Sequence, residues 1–173
     1  STIAASVLAT DAAGNSASAT DSESYTVDTA APTVSVVIAD AALNVADSSS
    51  LVTFTFSEAP VGFVEGDVTV VGGTLSGFTV TGDPLVYTAT FTATAGLEGS
   101  GSVSVSAGSY TDTALNPGGA GGDTVAIDTA PPTPSITLAA NITADDIINA
   151  AEAGGLVAVT GTVTGAQNGD LVT

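Results

Sequence analysis

One twelve-residue pattern occurs twice in this chain, one hundred positions apart. "YTVDTAAPTVSV" begins at Tyr25, and "VAIDTAPPTPSI" begins at Val125. Self-similarity at a fixed spacing is typical of tandem structural units that each have a core of their own. We therefore expect units of about one hundred residues rather than one larger domain. Each copy also carries one acidic residue, Asp28 and then Asp128, just before a Pro-rich joint.

The sequence between the two copies predicts β-strands. Val and Thr alternate there with small or polar residues, and Gly, Asp, Asn and Pro bound each segment. Seven strands are expected, at 33–39, 50–57, 67–72, 74–80, 85–92, 101–111 and 122–128. Seven short strands in about one hundred residues are typical of an immunoglobulin-like β-sandwich with Greek-key connections. The chain has no Cys and no Trp, so this prediction depends on the strand pattern alone.

The flanks of the repeat fit parts of neighbouring units. We predict an all-β chain of tandem immunoglobulin-like sandwiches, in which residues 32–131 form a complete domain. Residues 1–31 would supply the last two strands of a preceding unit plus a linker, and residues 132–173 the first two strands of a following one. The segment 143–155 is the one place where a helical turn is expected. Because the chain opens inside a strand-like pattern without a signal peptide, we expect an internal slice of a longer protein.

The charge balance restricts the partners. The chain has 18 Asp and Glu residues and no Lys, Arg or His. Nucleic acids and anionic membranes are bound through Lys and Arg, so neither is an expected partner, and no apolar run is long enough to span a bilayer. Uncompensated like charge destabilises a compact state, so we expect cations from outside the chain, and divalent ions above all, to neutralise it. Without Cys, such ions would also take the place of disulfides.

Four stretches carry a family resemblance that covers essentially the whole chain. They are "ATDAAGNSASATDSESYTVDTAAPT", "FTFSEAPVGF", "GGDTVAIDTAPPT" and "NITADDIINAAEAGG". They resemble the tandem bacterial Ig-like repeats of giant repetitive adhesins and biofilm proteins, which are exported by type I secretion to the bacterial cell surface. The resemblance implies extracellular extender modules that are stiffened by calcium near their joints and have neighbouring repeats of the same chain as partners. It also implies that other domains bind the distal ligand.

The predicted topology brings acidic loops to the end of the sandwich where the linker arrives, which we call the N-terminal pole. Loops after the second and sixth strands lie at this end. The candidate ligands there are Asp28, Glu58, Asp112 and Asn116, with Glu65, Asp67 and Asp123 as nearby reserves. Calcium takes six to eight oxygen ligands in irregular loops, whereas zinc prefers the His and Cys that this chain lacks. We therefore expect Ca²⁺ at this pole.

Two further acidic groups are expected to serve the next joint. At the opposite end, which we call the C-terminal pole, Asp40, Asn44 and Asp47 would approach Asp128. The following unit offers Asp145, Asp146, Asn149 and Glu152. The competing interpretation is that each Asp or Asn only forms a turn with its own backbone, as "TDAAGN" suggests.

Two other functions compete with that of a structural module. A carbohydrate-binding module would use loops of the N-terminal pole, but the chain has no Trp and only five Phe and three Tyr. We expect Tyr25, Tyr87 and Tyr110 to lie at core edges or corners, and the glycosylation triplet at Asn141 carries little weight. An enzyme could use only a carboxylate pair such as Glu58 and Asp112, in turn loops without a cleft. We predict no enzymatic activity.

Overall fold

The structure is a computed structural model that describes residues 1–143, 145–167 and 169–171. It consists mainly of β-strands, as the sequence predicts. The strands are β1 Thr2–Thr10, β2 Ser16–Ser24, β3 Val34–Ile38, β4 Ala42–Asn44, β5 Ser49–Phe56, β6 Val68–Val71, β7 Gly73–Val80, β8 Val86–Ala93, β9 Glu98–Val105, β10 Gly121–Asp128, β11 Ser135–Leu138 and β12 Gly161–Thr164.

Strands β3 to β10 form a two-sheet sandwich. One sheet has the order β3-β5-β8-β7 and the other β4-β10-β9-β6. Every pair is antiparallel except β4 with β10, which are parallel. The two sheets match the four-plus-three arrangement of immunoglobulin constant-type domains, with β4 added to the edge of the smaller sheet. The predicted immunoglobulin-like fold is confirmed.

Strand β4 was not predicted, because three residues are too few to display a period-two pattern. It forms where the chain crosses between the sheets. Strand β3 pairs with β5 in the first sheet, and the chain then joins the second sheet beside β10. Asp123 of β10 closes the crossing, since its Oδ2 accepts a hydrogen bond of 2.8 Å from the backbone N–H of Ile38.

Alternating side chains of the facing strands fill the space between the sheets. Along β3 and β5, buried residues alternate with more exposed ones. Strands β8, β9 and β10 bury every second residue over part of their length. Val52, Phe54, Phe91 and Val103 have no exposed surface. The period-two pattern that predicts the strands therefore also defines the core.

An aromatic cluster fills the end of the core towards the N-terminal pole. Phe63, in the loop after β5, packs edge-on against Phe56 at 4.8 Å and Tyr87 at 5.3 Å between ring centroids. Phe56 also packs edge-on against Tyr110, at 5.0 Å. Edge-on pairs at these distances are favourable beyond simple area burial. The loops that carry Glu58 and Asp112 are therefore attached to the core through the buried rings of Phe63 and Tyr110.

Each flank contains a two-stranded antiparallel sheet. Strand β1 pairs with β2, and β11 pairs with β12. The residues of all four strands are exposed. Isolated two-stranded sheets are marginal in water. That these pairs belong to neighbouring units stays a prediction.

The segment 143–155 contains the expected helical turn, but it is not the one place with helical hydrogen bonding. Within it, Ala153 N–H donates to Asn149 O at 2.8 Å, Asp146 N–H to Thr143 O at 3.3 Å and Gly155 N–H to Glu152 O at 3.1 Å. Asn149 and Glu152 bond to each other's backbone in the manner of a helix cap, yet no helix follows. A short 3-10 helix also lies at Glu65–Asp67. No helix in the described residues is long and apolar enough to cross a membrane.

Candidate metal centre

Three chain segments meet at the N-terminal pole. They are the linker before β3, the loop 57–67 between β5 and β6, and the loop 106–120 between β9 and β10. Val61 and Thr111 join the two loops through backbone hydrogen bonds of 2.7 and 3.1 Å. Thr33 and Ser57 join the end of the linker to the first loop, at 2.9 and 3.0 Å. The pole is therefore held together by three backbone hydrogen bonds and one to the Ser57 hydroxyl, none of which needs a charged side chain.

Each of these three segments contributes one carboxylate to a common point. One oxygen from each of Asp28, Glu58 and Asp112 lies within 4.8 Å of the other two. Asp28 is exposed, Glu58 is half-buried and Asp112 has no exposed surface. In the part of the chain that the structure describes, this is the one place where three carboxylates come so close. That they bind a metal remains a prediction.

The buried carboxylate is held by its own turn. Asp112 Oδ1 accepts from the backbone N–H of Asn116 at 2.9 Å, and Oδ2 accepts from the Asn116 side chain at 2.7 Å. Burial raises the pKa of the Asp112 carboxyl, but these bonds and further backbone N–H groups of the turn outweigh it. The pKa therefore lies below its usual value, and Asp112 is an anion inside the protein at neutral pH.

Glu58 is in the opposite situation. Partial burial raises the pKa of its carboxyl, and the negative charges of Asp112 and Asp28 raise it further. No Lys, Arg or His exists in the chain to offset this repulsion. The folded protein therefore disfavours the ionised form of Glu58 unless a cation joins the three carboxylates.

The Asp112 turn has a counterpart in the β1–β2 connection. Asp11 Oδ1 accepts from the backbone N–H of Asn15, and Asp11 Oδ2 accepts from its side chain, both at 2.9 Å. These bonds also lower the pKa of Asp11. The residue before each Asn has a positive φ, which is 88° at Gly14 and 69° at Leu115. The sequences "TDAAGN" and "TDTALN" therefore form the same kind of turn.

Replacing Leu115 with Gly is expected to stabilise the protein by up to about 1 kcal/mol. A left-handed conformation costs a residue with a Cβ about 1–2 kcal/mol, part of which is offset by the greater chain entropy of Gly in the unfolded state. Because the Leu115 side chain is 74% exposed, little packing is lost. Chemical denaturation measures the difference. Leu115→Ala is the control, which should change stability by less than about 0.5 kcal/mol because it keeps the Cβ; equal effects of both variants would contradict this explanation.

The linker is fastened to the loop 106–120 at two carbonyl groups. Asn116 Nδ2 donates to Asp28 O at 3.2 Å, and the backbone N–H of Gly119 donates to Pro32 O at 2.8 Å. The Tyr110 hydroxyl lies 3.0 Å from Gly119 O and 3.3 Å from Pro32 O, to either of which it can donate. Sequence reasoning missed this role of Tyr110 and Gly119, since no local pattern shows which backbone carbonyls a loop will meet.

A small residue is needed where this loop crosses the Tyr110 ring. A Cβ at Gly118 would lie 2.3 Å from two ring carbons of Tyr110. Gly118 therefore allows the loop to lie flat on the ring and brings Gly119 N–H to Pro32. The Gly-rich run after Asn116 is the signal that could have indicated this close approach.

The three predicted reserve residues have other contacts in the structure. Asp67 Oδ2 accepts from Val64 N–H at 2.8 Å and caps the 3-10 helix, and Asp123 accepts from Ile38 N–H as described above. Glu65 begins the same short helix. None of the three belongs to the group formed by Asp28, Glu58 and Asp112.

The acidic residues of the C-terminal pole are not gathered in the same way. Asp40 Oδ2 accepts from the Ser50 hydroxyl at 2.7 Å, and Asn44 Oδ1 accepts from Asp47 N–H at 3.0 Å. Asp128 is the last residue of β10, paired with Asn44 on one side and Glu98 on the other. Their expected role as calcium ligands stays a prediction, and the observed contacts are those of turn and strand residues.

Thr129, which follows Asp128, is buried at this pole. Its hydroxyl donates to Thr94 O at 2.6 Å and accepts from Leu97 N–H at 3.0 Å. Thr129 thus attaches the second copy of the repeated motif to the end of the sandwich, and Pro32 attaches the first copy to its start.

In the segment 142–152, the acidic side chains close local turns. Asp146 Oδ1 accepts from Ile142 N–H at 2.9 Å, Asp145 Oδ1 accepts from Ile147 N–H at 3.2 Å, and Glu152 Oε2 accepts from Asn149 N–H at 3.0 Å. These are the contacts expected of turn-forming residues. Calcium binding by Asp145, Asp146 and Glu152 remains a prediction.

The donors at the N-terminal pole fit a hard cation. All three are carboxylates, they come from separate segments, and the backbone carbonyl of Asp28 accepts from the same Asn116 amide that holds Asp112. Oxygen ligands in irregular geometry suit Ca²⁺, whereas Zn²⁺ sites are built mostly from His and Cys. A hydrolase with Glu58 and Asp112 as its acid and base is disfavoured, because Asp112 has no exposed surface through which to reach a substrate.

The chain thus contains an immunoglobulin-like β-sandwich with three carboxylates gathered at its N-terminal pole. Residues 28–129 match the family described as Bacterial Ig-like domain, and the chain belongs to that family. No curated protein matches. Among solved structures, a Ca²⁺-stabilized adhesin that helps an Antarctic bacterium reach out and bind ice is similar at 31% identity, with a TM-score of 0.45. The similarity covers 95% of this chain and 40% of the adhesin chain.

Proposed function

We propose that this chain is a structural extender module of a large adhesin on the bacterial cell surface, stiffened by calcium at its joints. Neighbouring Ig-like repeats are its partners, and a distal region of the parent protein binds the ligand in adhesion or biofilm formation. The chain would reach the cell exterior by type I secretion. Membership of the bacterial Ig-like family supports a surface module, and a repeat of one hundred residues supports a tandem array.

The observation that carries the calcium proposal is the position of the three carboxylates. Asp28 belongs to the linker, whereas Glu58 and Asp112 belong to the sandwich that follows it. A cation held by all three would tie the linker to the sandwich and restrict the angle between successive units. Small polar interfaces between domains otherwise allow relative motion. Calcium at such a joint would therefore turn a flexible string of domains into a stiffer rod.

Two features of the site fit this role. Asp112 is an anion buried in a chain without a single basic side chain, so its charge lacks a protein partner of opposite sign. Glu58 beside it is destabilised by the same crowding of negative charge. A divalent cation would remove both penalties at once, and extracellular calcium modules typically bind at about 0.1–1 mM.

The positions of the aromatic side chains in the described residues do not favour a carbohydrate-binding function. Phe54, Phe63 and Tyr110 are buried, and Tyr87 is half-buried in the same cluster. Tyr25, at 45% exposed, lies in the linker instead. The aromatic rings that a sugar would stack on are therefore used to support the loops of the pole.

Isothermal titration with CaCl₂ tests the proposed site directly. We expect the 173-residue chain to bind Ca²⁺ in preference to Mg²⁺, and Asp112→Asn to weaken binding at this site at least ~10-fold because a charged ligand is lost. Asp21→Asn is the matched control, since it removes one carboxylate from exposed strand β2 and should leave the site unchanged. Equal affinities for Asp112→Asn and Asp21→Asn would refute calcium binding at the N-terminal pole.

A further inference from the structure

The side-chain amide of Asn116 lies between the linker and the buried carboxylate. Its nitrogen is 2.7 Å from Asp112 Oδ2 and 3.2 Å from Asp28 O. Both neighbours are acceptors only, since one is an ionised carboxylate and the other a backbone carbonyl. The amide nitrogen, with its two hydrogens, is the end that satisfies both.

We propose that Asn116 is a positioning residue that fastens the linker to the N-terminal pole before any cation binds. This assignment deepens the proposed function, because the site it prepares is the proposed calcium site. It differs from our sequence-based expectation that Asn116 is itself a calcium ligand. A ligand would turn its amide oxygen towards the carboxylates, whereas here the amide hydrogens point there.

Comparison with the turn between β1 and β2 shows which Asn116 contact belongs to the turn and which attaches the linker. Asn15 holds Asp11 with the same pair of bonds, so the Asp–Asn contact is a property of the turn itself. The bond from Asn116 to Asp28 O is the additional element that attaches the linker. Together with the Gly119 bond to Pro32 O, it holds both ends of the segment 28–32 on one loop.

This attachment has a clear electrostatic use. In the cation-free protein, the carboxylate of Asp28 is repelled by those of Glu58 and Asp112. The bond from the Asn116 amide to the backbone carbonyl of Asp28 holds the linker in place against part of that repulsion. The linker would then already be in place when a cation arrives, which lowers the ordering cost of binding.

Asn116→Asp distinguishes a positioning residue from a ligand. If Asn116 is a calcium ligand, the substitution adds a negative charge to the site, and the variant should bind Ca²⁺ more tightly than the wild type. If Asn116 is a positioning residue, the substitution removes both amide hydrogens and places a second carboxylate against Asp112. We therefore expect Ca²⁺ affinity to fall at least ~10-fold by calorimetric titration, the size of effect usual for groups that orient metal ligands.

Linker mobility is the second readout, and it needs no cation. The chain has no Cys, so Ala31→Cys gives one spin-label site at an exposed position between the two attachments. In EDTA we expect the electron paramagnetic resonance line to show faster label motion in Asn116→Asp and Asn116→Ala than with Asn116 intact. Asn15→Asp is the control, since it breaks the same turn contact without touching this linker, and it should leave the label unchanged.

The outcomes separate this assignment from the proposed function. Tighter Ca²⁺ binding by Asn116→Asp, or unchanged label motion in both Asn116 variants, would overturn the positioning role. Absence of Ca²⁺ binding by the wild type would overturn the calcium proposal, while the spectra in EDTA would still decide the role of Asn116. If Asn116→Asp does not fold, Asn116→Ala provides the test without adding a charge.

Discussion

Glu58→Gln is expected to stabilise the protein in EDTA and to destabilise it, relative to the wild type, in saturating calcium. In EDTA at pH 7 the substitution removes a carboxylate whose ionised form the fold disfavours, as the raised pKa of Glu58 shows. With calcium present, the wild type gains about 2.7 kcal/mol at a free concentration one hundred times Kd, and the variant loses most of that gain. For a domain of this size, the wild type should melt about 10–20 °C higher in calcium than in EDTA. Thermal unfolding followed by circular dichroism measures all four values.

The reversal of sign is the informative part of this experiment. A purely structural role for Glu58 would change stability in the same direction in both solutions. Glu98→Gln, on an exposed position of β9, controls for the removal of one negative charge. An identical melting curve of the wild type in calcium and in EDTA would remove the basis for a stabilising cation.

Asp28→Ala is expected to loosen the joint before the sandwich at saturating calcium without unfolding the sandwich. The substitution removes the linker's carboxylate from the site and leaves the backbone carbonyl that Asn116 binds. Affinity for Ca²⁺ should fall at least ~10-fold, because ligand charge strongly tunes such sites. Spin labels at Ser18→Cys on β2 and Thr90→Cys on β8, both exposed positions, report the distribution of distances across the joint. That distribution should be broader in Asp28→Ala than in the wild type when calcium is present.

The same pair of labels provides the controls. In EDTA the wild type should show the broad distribution as well, and Asp28→Ala should add little to it. Asp128→Ala removes the equivalent acid one repeat later and should leave this joint unchanged. If the distribution of Asp28→Ala is as narrow as that of the wild type in calcium, Asp28 is only a turn residue, bonded through Oδ1 to Ala30 N–H.

The sandwich was predictable because its signals are local. Alternation of apolar and polar residues depends on the pleat of each strand, and turn residues mark where each strand ends. The predicted strands therefore agree with β3 and β5 to β10 within a residue or two at most ends. The largest difference is at 101–111, where β9 begins at Glu98 and ends at Val105. Beyond that point the chain bends so that Tyr110 enters the core, where it meets the rings of Phe56 and Phe63.

The meeting of Asp28, Glu58 and Asp112 also followed from sequence, because strand reversal alone assigns the loops to one end of a sandwich. The grouping of Asp40 and Asp47 with Asp128 used the same rule, and the structure does not gather them as it does the first three. A loop's position at one pole does not determine which polar atom its side chain will meet. Asp40 finds the hydroxyl of Ser50, while Asn44 closes its own turn onto Asp47.

The sequence by itself thus determined the repeat, the immunoglobulin-like fold and the pole where linker and loop carboxylates meet, since these depend on period, spacing and strand direction. Tertiary structure alone decided how the polar side chains are used there. Asn116 became a donor to Asp112 and to Asp28 O, and Asp123 became a partner of Ile38 N–H at the end of β3. The reason is that buried polar groups bond to whichever donor or acceptor the packed chain brings within about 3 Å, and those partners are distant in sequence.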